Sequence, residues 1–273
     1  MKDILNDIRN ANLRDSETWI QEARFGLREL EEHLLPLNQG SNILEIGCGS
    51  GILLSLISQN YPSHKLSGIE PFQGGFEYLK DIRKILDDVV EIHPIGYEQY
   101  KPSQKFELIY LVNVFEYLDD FQDFINTALS WLAPNGKLII LGSNFAFPFE
   151  FHFRVPIVIN KKYTLKIFKK LIKKRENEYG TMWDDLNFIQ KNKLLEFLKQ
   201  NNYLQYEDDI EINFRMIDRL SKDKEFAKRQ TIIGCFARFL SLFGLINIVR
   251  LLPSYLPYMK IIITRRLNSS LDY

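Results

Sequence analysis

Hydrophobic residues in the first forty positions follow a helical period. Between Ser16 and Leu37 they recur at steps of three and four residues, which places them on one face of a helix. Ser16 is a favourable N-cap residue, and Pro36 favours a helix end beside it. The polar run 38–42 then has the composition of a turn. This pattern predicts a helical cap over residues 1–40.

From residue 43 to residue 141, short hydrophobic runs alternate with helical patterns. The predicted strands are Ile43–Ile46, Lys65–Glu70, Val89–His93, Phe106–Val112 and Lys137–Leu141, and the predicted helices are Ile52–Gln59, Phe76–Leu86 and Phe121–Leu132. The run 133–136 predicts a turn before the last of these strands. Strands that alternate with helices at this spacing pair in parallel through right-handed crossovers. The chain is therefore predicted to be an α/β protein with a doubly wound sheet.

The regular alternation ends after Gly142. The later segments are predicted as an aromatic loop and a basic helix, a helix over Asp184–Gln200, a strand over Leu204–Ile212, a helical region over Asp218–Leu252 and a last strand over Tyr258–Thr264. We therefore divide the chain into the cap 1–40, a core over 41–145, an insertion over 146–183 and a C-terminal part over 184–273.

The turn after the first strand carries the most informative motif. The segment 43–51 reads ILEIGCGSG, with glycine at every second position after an acid, Glu45. Glycines let the backbone turn sharply and let a ligand approach closely. The helix that follows presents free N–H groups at the carboxyl edge of the sheet, where α/β folds bind ligands. The segment therefore predicts a binding site for a small molecule.

The spacing of the glycines discriminates between ligands. A dinucleotide fingerprint would have its third glycine at position 52, where this chain has Ile52. The carboxylate of Glu45 would repel a pyrophosphate but suits a cationic ligand. S-adenosylmethionine carries an ammonium and a sulfonium group and no phosphate. The motif thus favours S-adenosylmethionine over a nicotinamide dinucleotide.

Residues 41–142 resemble the class I S-adenosylmethionine-dependent methyltransferases, whose first motif has this acid-Gly-x-Gly-x-Gly form. The resemblance implies a Rossmann-like fold, with a seven-stranded mixed sheet flanked by helices and with helical insertions, and S-adenosyl-L-methionine as cofactor. It also implies that Glu70, nineteen residues after Gly51, accepts hydrogen bonds from the ribose hydroxyls, with Pro71 and Phe72 beside the adenine. The implied cofactor-binding residues are Glu45, Gly47, Cys48, Gly49, Gly51, Glu70, Pro71, Tyr97, Val112 and Asn113.

The chain departs from this family at two places. Gly96 stands where the family has an acid that meets the adenine amino group, and Tyr97 and Glu98 follow it. Glu116-Tyr117 stands where members often carry Glu-His. The adenine contacts and any role of the 116–117 pair are therefore left open by the resemblance.

The segment 147–156 offers candidate acceptor-binding residues. An extended chain would place Glu150, His152 and Arg154 on one side and the phenylalanines between them on the other. We interpret His152 as a candidate base oriented by Glu150, and Arg154 as a binding residue for an acidic group. The segment is loosely similar to methyltransferases associated with cell-surface glycan assembly. The alternative is an insertion loop whose aromatic side chains pack against the protein while its polar side chains lie in solvent.

Two further segments bear on membranes. The predicted helix Lys161–Arg175 has eight basic residues and an apolar stripe formed by Leu165, Phe168, Leu171 and Ile172. It either lies on an anionic surface or has a simple solvated face. The apolar run Thr231–Val249 contains Arg238 near its middle, so we expect a core-packed or lid helix, or one at the membrane interface, rather than a membrane span.

Composition narrows the function classes. Thirty-five lysines and arginines balance 35 aspartates and glutamates, so binding of nucleic acid through the overall field is not expected. Two cysteines, Cys48 and Cys235, exclude a disulfide scaffold and favour a reducing compartment. No signal-peptide pattern begins the sequence, and we expect a cytoplasmic protein, with a peripheral position at the inner membrane face as the alternative. Four dispersed histidines predict no metal site.

These observations predict methyl transfer by direct displacement to an oxygen of a small-molecule or glycan acceptor. A lipid-linked acceptor is included in this prediction. Two rival interpretations stay open. One is a methyltransferase-like binding or scaffold protein without turnover, because methyltransferases need no fixed catalytic residue. The other is a nicotinamide-dependent oxidoreductase, which the glycine spacing and Glu45 disfavour. The oligomeric state is not predicted by the sequence.

Overall fold

The structure is a computed structural model and describes residues 4–73, 76–86, 89–179, 182–229, 234 and 250–266. Its strands are β1 (Asn42–Ile46), β2 (Lys65–Ile69), β3 (Glu91–His93), β4 (Phe106–Val112), β5 (Leu132–Ser143), β6 (Phe149–Glu150), β7 (Val155–Pro156), β8 (Leu204–Asp208) and β9 (Tyr258–Arg265). Its α-helices are α1 (Ile4–Asn10), α2 (Ser16–Leu34), α3 (Ile52–Asn60), α4 (Leu79–Ile85), α5 (Phe121–Trp131), α6 (Lys161–Tyr179), α7 (Met182–Asp185), α8 (Lys191–Gln200), α9 (Ile212–Lys222) and α10 (Lys224–Arg229).

Seven strands of the described chain form one mixed sheet in the order β3-β2-β1-β4-β5-β9-β8. The first five of these strands pair in parallel, while β9 runs antiparallel to both β5 and β8. The sheet order reverses at β1, since β2 lies on one side of it and β4 on the other. Ligands of open α/β sheets bind at such a reversal, beyond the carboxyl ends of the strands. The predicted seven-stranded mixed sheet is confirmed.

The central strand β4 is buried on both faces, as its apolar sequence predicts. Leu108 and Tyr110 lie in a hydrophobic cluster with side chains of α2 and α3. Ile109 and Leu111 lie in a second cluster with side chains of α5 and α8. Alternate residues of a strand point to opposite faces, so one strand supplies both cores. The helices cover the sheet on its two sides and leave the strand ends open to the site.

Several predicted elements have other bounds in the structure. The predicted helix Phe76–Leu86 is α4, Leu79–Ile85, and the predicted strand Val89–His93 is β3, Glu91–His93. The predicted turn 133–136 is part of β5, which pairs Leu132 with Phe106 across a register shift. The predicted helix Asp184–Gln200 is two helices, because residues 186–190 make tertiary contacts instead. There the N–H of Asn187 donates to the carbonyl of Glu116 and the carbonyl of Ile189 accepts from Phe145. The predicted strand Leu204–Ile212 ends at Asp208, because α9 begins at Ile212.

A buried lysine fastens the helical cap to the sheet. Lys260 of β9 donates to the carbonyl of Glu29 at 2.8 Å and to Glu32 Oε1 at 2.6 Å, both in α2. Asp209 Oδ2 lies 3.4 Å from the same ammonium. Removal of this cation would take away the hydrogen bonds that join α2 to β9, and it would leave Glu29 and Asp209 paired with Arg215. His33 is buried beside this group.

The apolar run Thr231–Val249 lies outside the described residues, apart from Gly234. The helical region predicted to start at Asp218 begins earlier, at Ile212. Across the described parts of the chain, no helix combines the length and the apolar character that a membrane span requires.

Candidate active site

The glycine turn between β1 and α3 has a backbone that only glycine adopts readily. Gly47, Gly49 and Gly51 have φ values of 67°, 52° and 85°. A Cβ atom on Gly51 would lie 2.6 Å from the Ile92 side chain, and one on Gly47 would overlap Val114. The turn is also held to β2, because the N–H groups of Gly47 and Cys48 donate to the carbonyl of Ile69 at 2.8 and 3.1 Å. Glycine is therefore required at Gly47 and Gly51 both because the backbone has a positive φ and because neighbouring side chains leave no room for a Cβ atom.

Glu70 joins the end of β2 to this turn. Its Oε2 accepts a hydrogen bond from the Gly49 N–H at 3.0 Å, and its Oε1 accepts one from the Phe72 N–H at 2.8 Å. Burial raises the pKa of Glu70, and these two backbone hydrogen bonds oppose that shift. Each carboxylate oxygen has a second lone pair. The carboxylate can therefore hold the turn and accept hydroxyl donors from a ligand.

Glu45, in β1, and Cys48, in the turn that follows, are both buried. The Tyr110 hydroxyl donates to Glu45 Oε2 at 3.1 Å. Burial raises the pKa of Glu45 well above its ordinary value, while this hydrogen bond lowers it. Burial likewise raises the pKa of the Cys48 thiol. Cys48 is therefore a protonated, unreactive thiol that fills space in the turn.

A cavity of about 930 Å³ opens at the carboxyl ends of the strands. The predicted cofactor residues that line it are Glu45, Gly47, Cys48, Gly49, Glu70, Pro71, Tyr97, Val112 and Asn113. Gly51 does not line the cavity; its N–H donates to the carbonyl of Cys48 at 2.9 Å where α3 begins. Phe72, expected beside the adenine, packs in the hydrophobic core instead. The structure thus brings nine of the ten predicted cofactor-binding residues to the wall of one cavity.

Tyr97 and Glu98 are neighbouring residues of the cavity wall. Tyr97 packs edge-on against Phe124 with ring centroids 5.1 Å apart, and burial raises its pKa to about 12. Glu98 Oε2 lies 2.5 Å from the position that a Cβ on Gly96 would take. An acid therefore occupies the space beside Gly96, although the sequence position that the family uses for one holds glycine. Glu98 lines the cavity and was not assigned a role from sequence.

The segment after β6 is a tight hairpin and not an extended chain. β6 and β7 pair antiparallel through Glu150 and Val155, so residues 151–154 form the turn between them. Arg154 adopts a positive φ of 53° there. The predicted alternation of polar and aromatic faces is therefore wrong: Phe153 is buried against Trp183, with ring centroids 5.1 Å apart, while Phe151 lines the cavity.

The predicted pairing of Glu150 with His152 is nevertheless present. Glu150 is buried, and its Oε1 lies 2.8 Å from His152 Nδ1. The same carboxylate accepts hydrogen bonds from the backbone N–H groups of His152 and Phe153. The His152 side chain is 33% exposed and lines the cavity, as does Arg154. The hairpin thus presents an oriented imidazole to the space that the glycine turn borders.

Glu116 is a cavity residue that the sequence analysis did not identify as functional. It is 1% exposed, and the Ser143 hydroxyl donates to its Oε1 at 3.2 Å. Its Oε2 has no hydrogen-bond donor among the described residues. Burial raises the pKa of Glu116. The sequence signal for Glu116 was an acid within the largely apolar stretch after β4. That its Oε2 has no donor follows only from the tertiary packing.

Asn113 connects the end of β4 to β9. Its backbone has a positive φ of 56°, and its Oδ1 accepts a hydrogen bond from the Tyr258 hydroxyl. Asn113 and Tyr258 both line the cavity. Within the described residues, no group of three or more His, Cys, Asp or Glu side chains is arranged to hold a metal ion.

Comparison with known proteins gives a family match and several relatives. Residues 19–147 match the family model of the methyltransferase domain. The chain is 26% identical over 215 residues to an uncharacterized protein of Mycobacterium tuberculosis, a match that covers 77% of this chain and 73% of that protein. It is 26% identical to pavine N-methyltransferase of Thalictrum flavum subsp. glaucum, over 46% of this chain and 36% of the enzyme. Malonyl-[acyl-carrier protein] O-methyltransferase 1 of Ilyobacter polytropus is 30% identical over 36% of each chain.

Two solved structures share the fold. Mycolic acid cyclopropane synthase, complexed with S-adenosylhomocysteine, superposes with a TM-score of 0.53 at 16% identity and covers 90% of this chain and 85% of its own. A plantazolicin methyltransferase, also in complex with S-adenosylhomocysteine, superposes with a TM-score of 0.51 at 16% identity, over 91% and 84% of the two chains. The predicted Rossmann-like class I fold is confirmed.

Proposed function

Because this chain is a class I methyltransferase with S-adenosylmethionine as its cofactor, we propose that it methylates an oxygen of a small-molecule or glycan acceptor by direct displacement. The observation that carries this proposal is the Glu150–His152 pair, which lines the same cavity as the glycine turn. A base is needed for a hydroxyl acceptor, whose proton must leave as the new bond forms.

The cofactor would be held at the glycine turn. The turn offers backbone without Cβ atoms, and Glu70 has lone pairs suited to the two ribose hydroxyls. Tyr97 and Glu98 line the cavity where the adenine would lie, and Glu98 would accept a hydrogen bond from its amino group. Carboxylates around the cavity suit a ligand with two positive charges. When bound, S-adenosylmethionine supplies an electrophilic methyl group.

His152 is proposed as the general base. Its Nδ1 faces a buried carboxylate and therefore carries the hydrogen that Glu150 accepts. This leaves the lone pair on Nε2, which would take the proton from the acceptor hydroxyl. Glu150 fixes the ring orientation and stabilises the imidazolium that forms. Positioning of the nucleophile in line with the methyl group supplies much of the remaining catalysis.

Glu116 and Arg154 would bind the acceptor. The unpaired Glu116 oxygen is buried at the cavity wall, so an acceptor hydroxyl or amine that donates to it removes an unsatisfied polar atom. Arg154 lines the cavity on the hairpin and would bind an acidic group. This combination favours a polar acceptor with at least one hydrogen-bond donor and one acidic group.

The test is release of S-adenosylhomocysteine over a panel of hydroxyl, amine and carboxylate acceptors, with calorimetric titration of S-adenosylmethionine and of NAD alongside. We expect S-adenosylmethionine to bind, NAD not to bind, and turnover with hydroxyl acceptors that carry an acidic group. Turnover confined to amines would overturn oxygen methylation. Binding of S-adenosylmethionine without turnover on any acceptor would favour the scaffold alternative.

A further inference from the structure

Helix α6 carries an apolar stripe that faces solvent. Tyr163, Ile167 and Leu171 follow one another at four-residue steps and are 49%, 58% and 42% exposed. Residues at this spacing lie on one face of a helix. The backbone of Phe168, between Ile167 and Leu171, departs from helical angles (φ −103°, ψ 19°), and the three side chains are nevertheless all exposed. Ile159, just before the helix, is 81% exposed. We call these four residues the outer stripe. Exposed apolar side chains gathered on one element, rather than scattered singly, are a feature of interaction sites.

The outer stripe is not what holds the helix to the protein. Ile172 is fully buried, and Leu165 and Phe168 pack against the cluster that contains Phe153 and Trp183. Leu171, predicted to share a stripe with these three residues, faces outward instead. The helix therefore has one apolar face for the protein core and a second one without a partner in the described residues.

Lysines border the outer stripe. The exposed lysines of the helix are Lys162, Lys166, Lys169, Lys170, Lys173 and Lys174. No acidic residue occurs between positions 161 and 175. None of the six makes an ion pair with a side chain that the structure describes. The outer surface of α6 is thus both apolar and strongly cationic.

We propose that this surface docks on an anionic lipid bilayer. The outer stripe would enter the boundary between head groups and acyl chains, while the lysines would bind lipid phosphates. A soluble phosphate or a nucleic acid would use the lysines but not the exposed Ile167 and Leu171. A second copy of the same helix would bring two rows of lysines together, and their repulsion disfavours that arrangement.

The docking surface is connected to the acceptor side of the cavity. Arg175 of α6 donates to the carbonyl of His152 at 3.5 Å, and Lys161 donates to the carbonyls of Asp184 and Leu186 at 2.7 Å each. The first bond joins the helix to the β6–β7 hairpin, and the other two join it to the segment 184–186. Docking does not depend on the proposed reaction, but delivery of a lipid-linked acceptor to His152 rests on it.

Vesicle flotation with the full chain tests the proposal. We compare vesicles of phosphatidylcholine alone with vesicles that also contain phosphatidylglycerol, at low and at high salt. Binding is expected only to the anionic vesicles and is expected to weaken with salt. Ile167→Asp with Leu171→Asp should remove binding, and Lys166→Gln with Lys170→Gln should weaken it by about fivefold for each lysine.

Matched controls separate docking from general surface effects. Leu35→Asp with Tyr203→Asp changes two exposed apolar residues away from α6, each somewhat more exposed than its counterpart in the outer stripe. Lys193→Gln with Lys199→Gln removes two exposed lysines of α8. Both controls should bind vesicles like the wild type. S-adenosylmethionine titration of every variant shows that the fold is intact and reports on the reaction site separately.

No flotation at low salt, or equal loss in the controls, would overturn the proposal. Binding that depends on the lysines but is unchanged by Ile167→Asp with Leu171→Asp would overturn insertion of the outer stripe and would leave a purely electrostatic anion-binding surface.

Discussion

The Gly49 N–H donates to Glu70 Oε2 at 3.0 Å, so the acid that ends β2 holds the turn that ends β1. The same carboxylate is the proposed ribose acceptor. Its two tasks reinforce each other, because the hydrogen bonds that fix the turn also orient the carboxylate before a ligand arrives. Binding then needs little reorganisation of this group.

Replacement of Glu70 by Gln should weaken S-adenosylmethionine binding by about tenfold or more, since a charged acceptor is lost and one amide hydrogen faces a backbone N–H. Isothermal titration measures the change. Glu91→Gln, at an exposed acid on neighbouring β3, is the matched control and should bind normally. Equal affinities for Glu70→Gln and wild type would contradict the proposed role.

Two glycines with positive φ, Gly40 before β1 and Gly47 in the glycine turn, allow the steric and the conformational effects of a Cβ atom to be separated. Gly40 has a φ of 81° with nothing near its Cβ position, whereas a Cβ on Gly47 would overlap Val114. Gly40→Ala should lower the free energy of unfolding by about 1–2 kcal/mol and leave cofactor affinity unchanged. Gly47→Ala should cost more and should also abolish binding. Val114→Ala combined with Gly47→Ala should restore part of the stability, and denaturant unfolding checks each value.

His152→Gln should lower kcat by about 10²–10⁴-fold on a hydroxyl acceptor while the affinity for S-adenosylmethionine stays unchanged. Glu150→Gln should reduce kcat as well, and it should also loosen the hairpin, because Glu150 accepts two backbone N–H groups. Steady-state kinetics and calorimetry on the same preparations measure both effects. His64→Gln, at a partly buried histidine that does not line the cavity, serves as the control. Full activity of His152→Gln would contradict the proposal that His152 is the general base.

Sequence reasoning succeeded where the determining contacts are local. The turn at Gly47 and the acid at Glu70 follow from a strand–turn–helix motif, which fixes their geometry over a short span. The Glu150–His152 contact was predicted although the backbone form was not, because two residues so close in sequence can meet in a hairpin turn as well as across an extended chain.

The rest depends on tertiary packing. The unpaired oxygen of Glu116 arises from how Ser143 and the segment 186–190 pack around it, which no local pattern encodes. The turn predicted at 133–136 became strand because β4 was available as a partner for Leu132. The outward face of Leu171 likewise depends on which side of α6 meets the Trp183 cluster.

Acid sensitivity should have a measurable contribution from His33. Burial, and then the positive charge of Lys260, lower its pKa to about 4, from an ordinary value of 6.5. The unfolded chain therefore binds a proton between these two values and the folded chain does not, so stability falls as pH decreases through this window. The loss should approach about 3 kcal/mol. Urea unfolding of wild type and His33→Gln across this range should show the wild-type advantage shrinking with acid, and parallel curves would contradict this account.

The position of β9 has a consequence for synthesis. Ile261–Ile263 pair with β5 on one side and with β8 on the other, so β8 has no place in the sheet until the later strand exists. A ribosome delivers β5 and β8 first, and the free edge of β5 stays unpaired until residues near 263 have left the exit tunnel. The sheet is therefore completed late in the synthesis of the chain. Until then, the exposed edge of β5 is a template for another strand and a natural point for chaperone capture.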